Sequence, residues 1–266
     1  MKPFTFLFFG DVVGAIGRKG LAEILPMWRD AYRPDFVIAN VENLSHGRGI
    51  SAKTLRELDA LDIDAYTSGN HVWENEAGLS CFSDPAWKNR LVRPANIHRT
   101  YPGEGSVVVE KGGAKFLLLN LSGQLFMKDE ATSPFAKFDE ITKKYPNLPV
   151  IVDFHTEATS EKEAFGHYVD GRALAVFGTH THVPTADAKI LPDGTAFISD
   201  VGRVGGYDSV VGFEKNGAIK RFLEPTEKAY DPTSTGKIEV NAVLCGVDLE
   251  TGTSVRMDLL RKILDS

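Results

Sequence analysis

Thr5-Phe6-Leu7-Phe8-Phe9-Gly10-Asp11 is a short apolar and aromatic run that meets a glycine and then a carboxylate. Such a run reads as a central β-strand buried on both faces. The same signature recurs along the chain. Phe36-Val37-Ile38-Ala39 runs into Asn40-Val41-Glu42-Asn43, and Asp64-Ala65-Tyr66-Thr67 runs into Ser68-Gly69-Asn70-His71. Val150-Ile151-Val152-Asp153-Phe154 runs into His155, and residues 174–177 run into Gly178-Thr179-His180-Thr181-His182. Between the early strands, Leu21, Ile24, Leu25 and Trp28 recur at helical spacing until Pro34, and Ser51 suits the N-cap of a helix carrying Leu55, Leu58 and Leu61. Strand–helix–strand alternation of this kind predicts an α/β fold with parallel pairing and right-handed crossovers.

Further along, antiparallel pairing enters. Residues 106–109 and 116–121 flank Gly112-Gly113, and residues 188–191 and 195–198 flank Pro192-Asp193-Gly194, both with hairpin chemistry. A helix is expected around 135–145, and a last strand pair over 239–248 and 254–259. No repeat, low-complexity segment or linker interrupts residues 1–266, which read as a single domain. With 42% hydrophobic and 25% charged residues, the composition is that of a globular protein with a substantial core. No apolar run approaches the ~18 residues of a membrane span, and the run before Gly10 is too short for a secretory leader. Cys81 and Cys245 are too few for a disulfide scaffold and read as reduced, buried thiols. We therefore expect a cytoplasmic protein. The formal charge of −6 disfavours long nucleic acids as partners.

Asp, Glu, Asn and His thus gather at strand ends, where open α/β sheets assemble their ligand sites. Oxygen and imidazole donors of this kind suit iron, manganese or zinc better than calcium. Each cluster also has a plainer reading. Asp11 can cap a helix, Asn43 can cap a turn, Glu42 can be a solvated loop carboxylate, Asn70-His71 suits a turn, and His155 can be a core histidine bonded to backbone. His180 and His182 are harder to explain that way, because strand alternation aims both rings to one side.

In this order, the motifs Phe9-Gly10-Asp11-Val12-Val13-Gly14, Asn40-Val41-Glu42-Asn43 with Gly47 and Gly49, Gly69-Asn70-His71-Val72-Trp73, Asp153-Phe154-His155-Thr156-Glu157-Ala158-Thr159-Ser160, Gly178-Thr179-His180-Thr181-His182-Val183 and Asp200-Val201-Gly202 resemble the calcineurin-like metallophosphoesterases. The resemblance is to their YmdB-type branch of bacterial phosphodiesterases and covers nearly the whole chain. Val13 stands where the wider superfamily has a histidine, and Glu42 replaces its bridging aspartate. Both departures are features of that branch. The resemblance implies a layered αββα sandwich with mixed sheets and a metal site at the strand C-terminal ends. It implies two divalent transition-metal ions per subunit, iron or manganese. Asp11, Asn43 and His182 would hold one, Asn70, His155 and His180 the other, and Glu42 would bridge them.

The implied activity is hydrolysis of 2′,3′- or 3′,5′-cyclic nucleotide monophosphates by a metal-bridging hydroxide, with His71 protonating the leaving oxygen. His71 as an orienting residue is the alternative. Asp153, Glu157 and Asp200 are candidates to support the ligands from behind. Arg203, on a glycine-rich stretch read as a mobile loop, is a candidate for substrate phosphate; Tyr207 and His46 are candidates for base or ribose. The family expectation after Asp-Val-Gly is Met-Thr-Gly-Pro, so Arg203 is also a departure. The resemblance admits a homo-oligomer. Other activities consistent with these residues are a 5′-nucleotidase-like phosphomonoesterase, an RNA-end-processing phosphodiesterase, and a regulatory nucleotide-binding protein with incidental hydrolysis.

Overall fold

A computed structural model describes residues 2–97, 102–224 and 231–265. Its elements run β1 (Phe4–Val12), α1 (Gly14–Tyr32), β2 (Phe36–Asn40), α2 (Ala52–Asp59), β3 (Ala65–Thr67), a 3₁₀ helix (Glu76–Phe82), β4 (Ser106–Lys111), β5 (Ala114–Ser122) and α3 (Pro134–Thr142). Then come β6 (Val150–His155), α4 (Thr159–Tyr168), β7 (Ala175–Thr179), β8 (Lys189–Ile190), β9 (Ala196–Ile198), β10 (Arg203–Gly206), α5 (Lys215–Leu223), β11 (Ile238–Asp248) and β12 (Thr253–Leu264).

These strands form two six-stranded mixed sheets, ordered β12-β11-β10-β1-β2-β3 and β4-β5-β6-β7-β9-β8. In the first, β1 pairs parallel with β2 and β10, and β2 pairs parallel with β3. In the second, β5, β6, β7 and β9 run parallel, with the hairpin partners β4 and β8 on the outside.

Strand alternation builds the layers. Phe6 and Phe8 on β1 face the second sheet and pack with Phe116, Ile151 and Phe177. Leu7 and Phe9, on the opposite face, pack under Leu21, Ile24, Leu25 and Trp28 of α1 and Leu55 and Leu58 of α2. On the far side, Leu117, Val152 and Phe154 meet Phe138 and Ile141 of α3 and Phe165 of α4. Helices, sheet, sheet and helices therefore stack as the expected αββα sandwich. Each buried phenylalanine contributes about 1.5–3 kcal/mol, so a strand apolar on both faces is committed to the middle of these layers. Ser51 caps α2 as expected, its side chain accepting from the Thr54 N–H while Thr54 Oγ1 accepts from the Ser51 N–H.

Residues 203–206, read as a mobile loop, are instead strand β10, paired between β1 and β11. α4, α5, β10 and the 3₁₀ helix were not legible from spacing. Both cysteines are buried and free, and burial pushes their thiols up, to about 11 for Cys81 and about 12 for Cys245. Among the described residues no helix is long and apolar enough to cross a membrane.

Candidate metal centre

The C-terminal ends of β1, β2 and β3 in one sheet converge with those of β6 and β7 in the other. Asp11 comes from β1, Glu42 and Asn43 from just past β2, and Asn70 from just past β3. His155 ends β6, and His180 and His182 follow β7. Asn40 ties the two sheets together behind them, its Nδ2 donating to Asp153 Oδ2 at 2.9 Å.

Two groups of donor atoms result, each with all atoms within 4.8 Å of one another: Asp11, Glu42 and His182, and Glu42, His155 and His180. Glu42 belongs to both. His155 Nε2 lies 3.2 Å from Glu42 Oε1 and 3.1 Å from both Asn70 Oδ1 and His180 Nδ1. The opposite ring nitrogen of each histidine is already engaged. His155 Nδ1 is 2.9 Å from Thr179 Oγ1, which itself donates to Asp153 Oδ1 at 2.6 Å. Thr179 has thus used its hydrogen and accepts that of His155 Nδ1, which points Nε2 at the cluster as the nitrogen a cation would take. His182 Nδ1 donates to the Val211 carbonyl at 2.7 Å, and His180 Nε2 stands 3.2 Å from Glu157 Oε2.

Three buried oxygens in this cluster, Asp11 Oδ1, Glu42 Oε1 and Asn43 Oδ1, have no hydrogen-bond partner. Asn43 donates its Nδ2 to the Gly47 carbonyl, so the amide oxygen is the end left toward the cluster. Buried acceptors are normally satisfied, and buried carboxylates normally meet a cation. The titration behaviour agrees. Burial pushes the Asp11 carboxyl well above its usual range, and Glu42 adds to this against the pull of His155. Burial also acts to raise Glu42, but His155 and the other imidazoles hold it below the ordinary range. Burial alone would lower His155, yet Glu42 and Asp11 push it up to about 9. Burial and the neighbouring His155 drive His180 down to about 2. The carboxylates thus favour a positive charge at His155, while burial keeps His180 uncharged with its lone pair available, and carboxylate, amide and imidazole donors together suit a divalent metal ion.

Backbone geometry explains how His180 and His182 both reach the cluster. They do so by left-handed conformations, φ 105° and 65°, rather than by strand alternation. Residues other than glycine seldom adopt such angles unless their surroundings impose them. Here His180 N–H donates to Asp11 Oδ2 at 3.1 Å and Thr181 N–H to Asp200 Oδ2 at 2.9 Å. Asp200 is in turn paired with the buried Lys162 at 2.8 Å, and Lys162 also donates to the Thr179 carbonyl at 3.0 Å. Of the expected supports, Glu157 touches a ligand ring directly, Asp153 acts through Thr179, and Asp200 acts on the backbone. Lys162 was not foreseen, because a lysine within Glu161-Lys162-Glu163 reads as a solvated helix face.

A cavity of about 180 Å³ opens over the cluster, bordered by Glu42, Asn43, Arg48, His71, His180 and His182. His71 N–H donates to Glu42 Oε2 at 2.9 Å, which sets its ring on the cavity wall, and Arg48 joins it there. Arg48 was missed, although its position between Gly47 and Gly49 in a motif segment was a signal. The three candidates for substrate contact lie elsewhere. Arg203 is buried and committed to the His182 and Gly206 carbonyls and to Glu239 Oε2 at 2.9 Å. As part of β10 it braces His182 from behind and has no face on the cavity. Tyr207 follows it on the surface, outside the cavity lining. His46 borders a separate cavity of about 340 Å³ with Arg18 and Lys53.

Gly69 is required by close approach. A Cβ there would lie 2.3 Å from His155 Nε2 and 2.4 Å from Glu42 Oε2. Gly69→Ala is expected to fold, with an unchanged far-UV spectrum, but to lose bound metal and roughly 10–100-fold in activity, as when ligand support is removed. Metal analysis beside circular dichroism checks this, and full metal content would refute it.

A model of the YmdB-like protein family matches residues 7–260. The chain is 41% identical over 254 residues to the 2′,3′-cyclic-nucleotide 2′-phosphodiesterase of Bacillus subtilis, covering 95% of this chain and 94% of that one. Among solved structures, a phosphatase of Mycoplasma pneumoniae superposes with a TM-score of 0.92 at 36% identity, covering 100% of this chain and 95% of its own. The 5′-nucleotidase of Candida albicans, at 14% identity and TM-score 0.58, shares the fold over 99% of this chain and 51% of its own.

Proposed function

This chain belongs to the YmdB-like protein family, and from that membership and its buried donor cluster we propose that it is a dinuclear metal-dependent phosphodiesterase hydrolysing cyclic nucleotide monophosphates, 2′,3′-cyclic or 3′,5′-cyclic. The observation that carries the reading is Glu42, shared between two donor groups directly under a cavity that His71 borders. In this assignment Asp11, Asn43 and His182 hold one cation, Asn70, His155 and His180 hold the second, and Glu42 contributes to both. Iron and manganese match the donor set. When bound, such ions supply Lewis-acid stabilisation of charge on the phosphoryl group and activation of water at neutral pH.

The protein's own groups do the rest. The Asp153–Thr179–His155 chain fixes a ring tautomer, and Asp200 with Lys162 fixes the turn that presents His180 and His182. His71, partly exposed on the cavity wall, would hand a proton to the departing ribose oxygen, a role its position on that wall supports. A small cavity and an acidic chain support a small phosphodiester over a nucleic acid polymer as substrate. Two buried thiols with no disulfide suit a cytoplasmic setting.

The test is anaerobic purification with metal analysis, followed by assay on 2′,3′- and 3′,5′-cyclic nucleotides and on the corresponding monoesters. Two metal equivalents and diester turnover are expected. Preference for monoesters would favour a phosphomonoesterase instead. His71→Ala is expected to lower kcat on cyclic nucleotides by roughly 10²–10⁴-fold, the usual contribution of a general acid, while metal content stays at the wild-type level. Normal turnover in that variant would remove His71 from the chemistry.

A further inference from the structure

Arg203 opens β10 beside Asp11, its register partner on β1. Its side chain is buried, and the guanidinium is committed on three sides. Nη1 donates to the His182 carbonyl at 3.0 Å, Nη2 donates to the Gly206 carbonyl at 3.1 Å, and Nη2 also stands 2.9 Å from Glu239 Oε2. Glu239, equally enclosed on β11, accepts from Arg261 Nε at 2.8 Å as well. The Gly206 carbonyl also receives Ser209 Oγ at 2.6 Å, and Ser209 Oγ in turn accepts from the Gly212 N–H at 2.9 Å. That loop carries Val211, whose carbonyl takes the His182 Nδ1 hydrogen at 2.7 Å. Val211 has φ 48°, a left-handed conformation that a β-branched residue adopts only when its surroundings hold it. A Cβ on Gly212 would come within 3.4 Å of the Arg203 stem, so the arginine lies directly against this loop. One guanidinium therefore holds His182 from both sides: its main chain through the carbonyl, and its ring through the loop that supplies the Nδ1 acceptor.

We propose that Arg203, held by Glu239, is a positioning residue for the first cation and acts through His182, setting the hold of the Asp11, Asn43 and His182 donor group while leaving the Asn70, His155 and His180 group alone. This rests on the two-cation reading and adds what fixes one of its two sites. The planar fork of arginine can serve two carbonyls and a carboxylate at once, which a single ammonium cannot match. Without it, the His182 carbonyl loses its donor in a turn whose left-handed backbone is unfavourable by itself, and the 206–212 loop loses the bond that ties it to that turn. Loss of such support behind a ligand histidine typically weakens metal binding. Glu239 cancels a charge that would otherwise oppose a cation nearby.

Arg203→Met tests this cleanly. Methionine keeps an apolar stem of similar reach, and Glu239 retains Arg261 as its partner, so no buried charge is stranded. Wild type, Arg203→Met, His182→Ala and the double variant would each be loaded with manganese, dialysed against graded chelator and analysed for retained metal, beside circular dichroism and melting of the metal-free proteins. Wild type is expected to keep two equivalents. Arg203→Met should bind the first cation roughly 10–100-fold more weakly, so that one equivalent is stripped at chelator levels that leave both on the wild type, while the other stays. In the His182→Ala background, which has already lost that equivalent, Arg203→Met should remove nothing further. Wild-type retention by Arg203→Met, loss of both equivalents together, or a further loss in the His182→Ala background would each overturn the role of Arg203. If Arg203→Met does not fold, Arg203→Lys carries the same comparison, since it keeps the charge opposite Glu239 and loses the fork. A wild-type protein that itself holds fewer than two equivalents would instead refute the two-cation reading.

Discussion

Glu42→Gln is expected to abolish stable metal occupancy and lower kcat/KM on cyclic nucleotides by roughly a thousandfold or more. Glu42 is the residue common to both donor groups, and its Oε1 is one of the three buried oxygens without a hydrogen-bond partner. A neutral amide of the same size can still accept the His71 N–H, so the variant should keep the loop in place. It cannot offer an anionic oxygen to each of two cations. Losing Lewis-acid stabilisation of several kcal/mol corresponds to about three powers of ten in rate or more. The expected result is less than one metal equivalent per chain by elemental analysis, with an unchanged fold by circular dichroism. Two retained equivalents with near wild-type turnover would falsify the shared role of Glu42. His71→Ala, which is expected to keep its metal, provides the contrast that separates loss of the proposed centre from loss of the proposed proton donor.

The second large effect is expected far from any direct contact with substrate. Lys162 and Asp200 are both about 1% exposed and form a 2.8 Å ion pair behind the turn that carries His180 and His182. Removing one member of a buried pair strands the other charge, typically at a cost of about 3–5 kcal/mol. Lys162→Met should therefore lower the melting temperature by roughly 6–15 °C. It should also weaken metal binding, because Asp200 loses the charge that holds it against the Thr181 N–H while His180 and His182 keep their unfavourable φ. The double variant Lys162→Met/Asp200→Asn is expected to regain much of the stability, since no unpaired charge remains. A Lys162→Met protein with wild-type melting temperature and metal affinity would show that the pair is structurally idle.

Much of this molecule is written locally. Thr5-Phe6-Leu7-Phe8-Phe9 is apolar on both faces, and such a run has no stable place except between a helix layer and another sheet, where it is found. The recurrence of such runs with polar residues at their ends placed Asp11, Glu42, Asn43, Asn70, His155, His180 and His182 at the strand termini that converge. The reading of His180 and His182 reached the right place by the wrong geometry: the strand stops at Thr179, and two left-handed residues turn the rings inward. Arg203 shows the opposite failure. Its flanking glycines suggested a loop, whereas they permit close packing of a strand whose arginine points away from the cavity to Glu239. Lys162 was invisible for a related reason. A charged side chain near other charged residues carries no mark of whether it will be solvated or enclosed.

Residue chemistry and strand periodicity are short-range properties, so the amino-acid order alone decides that buried strands form and that oxygen and imidazole donors stand at their ends. Which ring nitrogen faces inward, that one glutamate is shared by two donor groups, and that Lys162 and Arg203 are enclosed depend on how strand ends, helices and neighbouring strands are brought together. Those contacts join residues from 17 positions apart, Lys162 and Thr179, to 169 apart, Asp11 and His180, where only the folded arrangement sets distance, desolvation and charge.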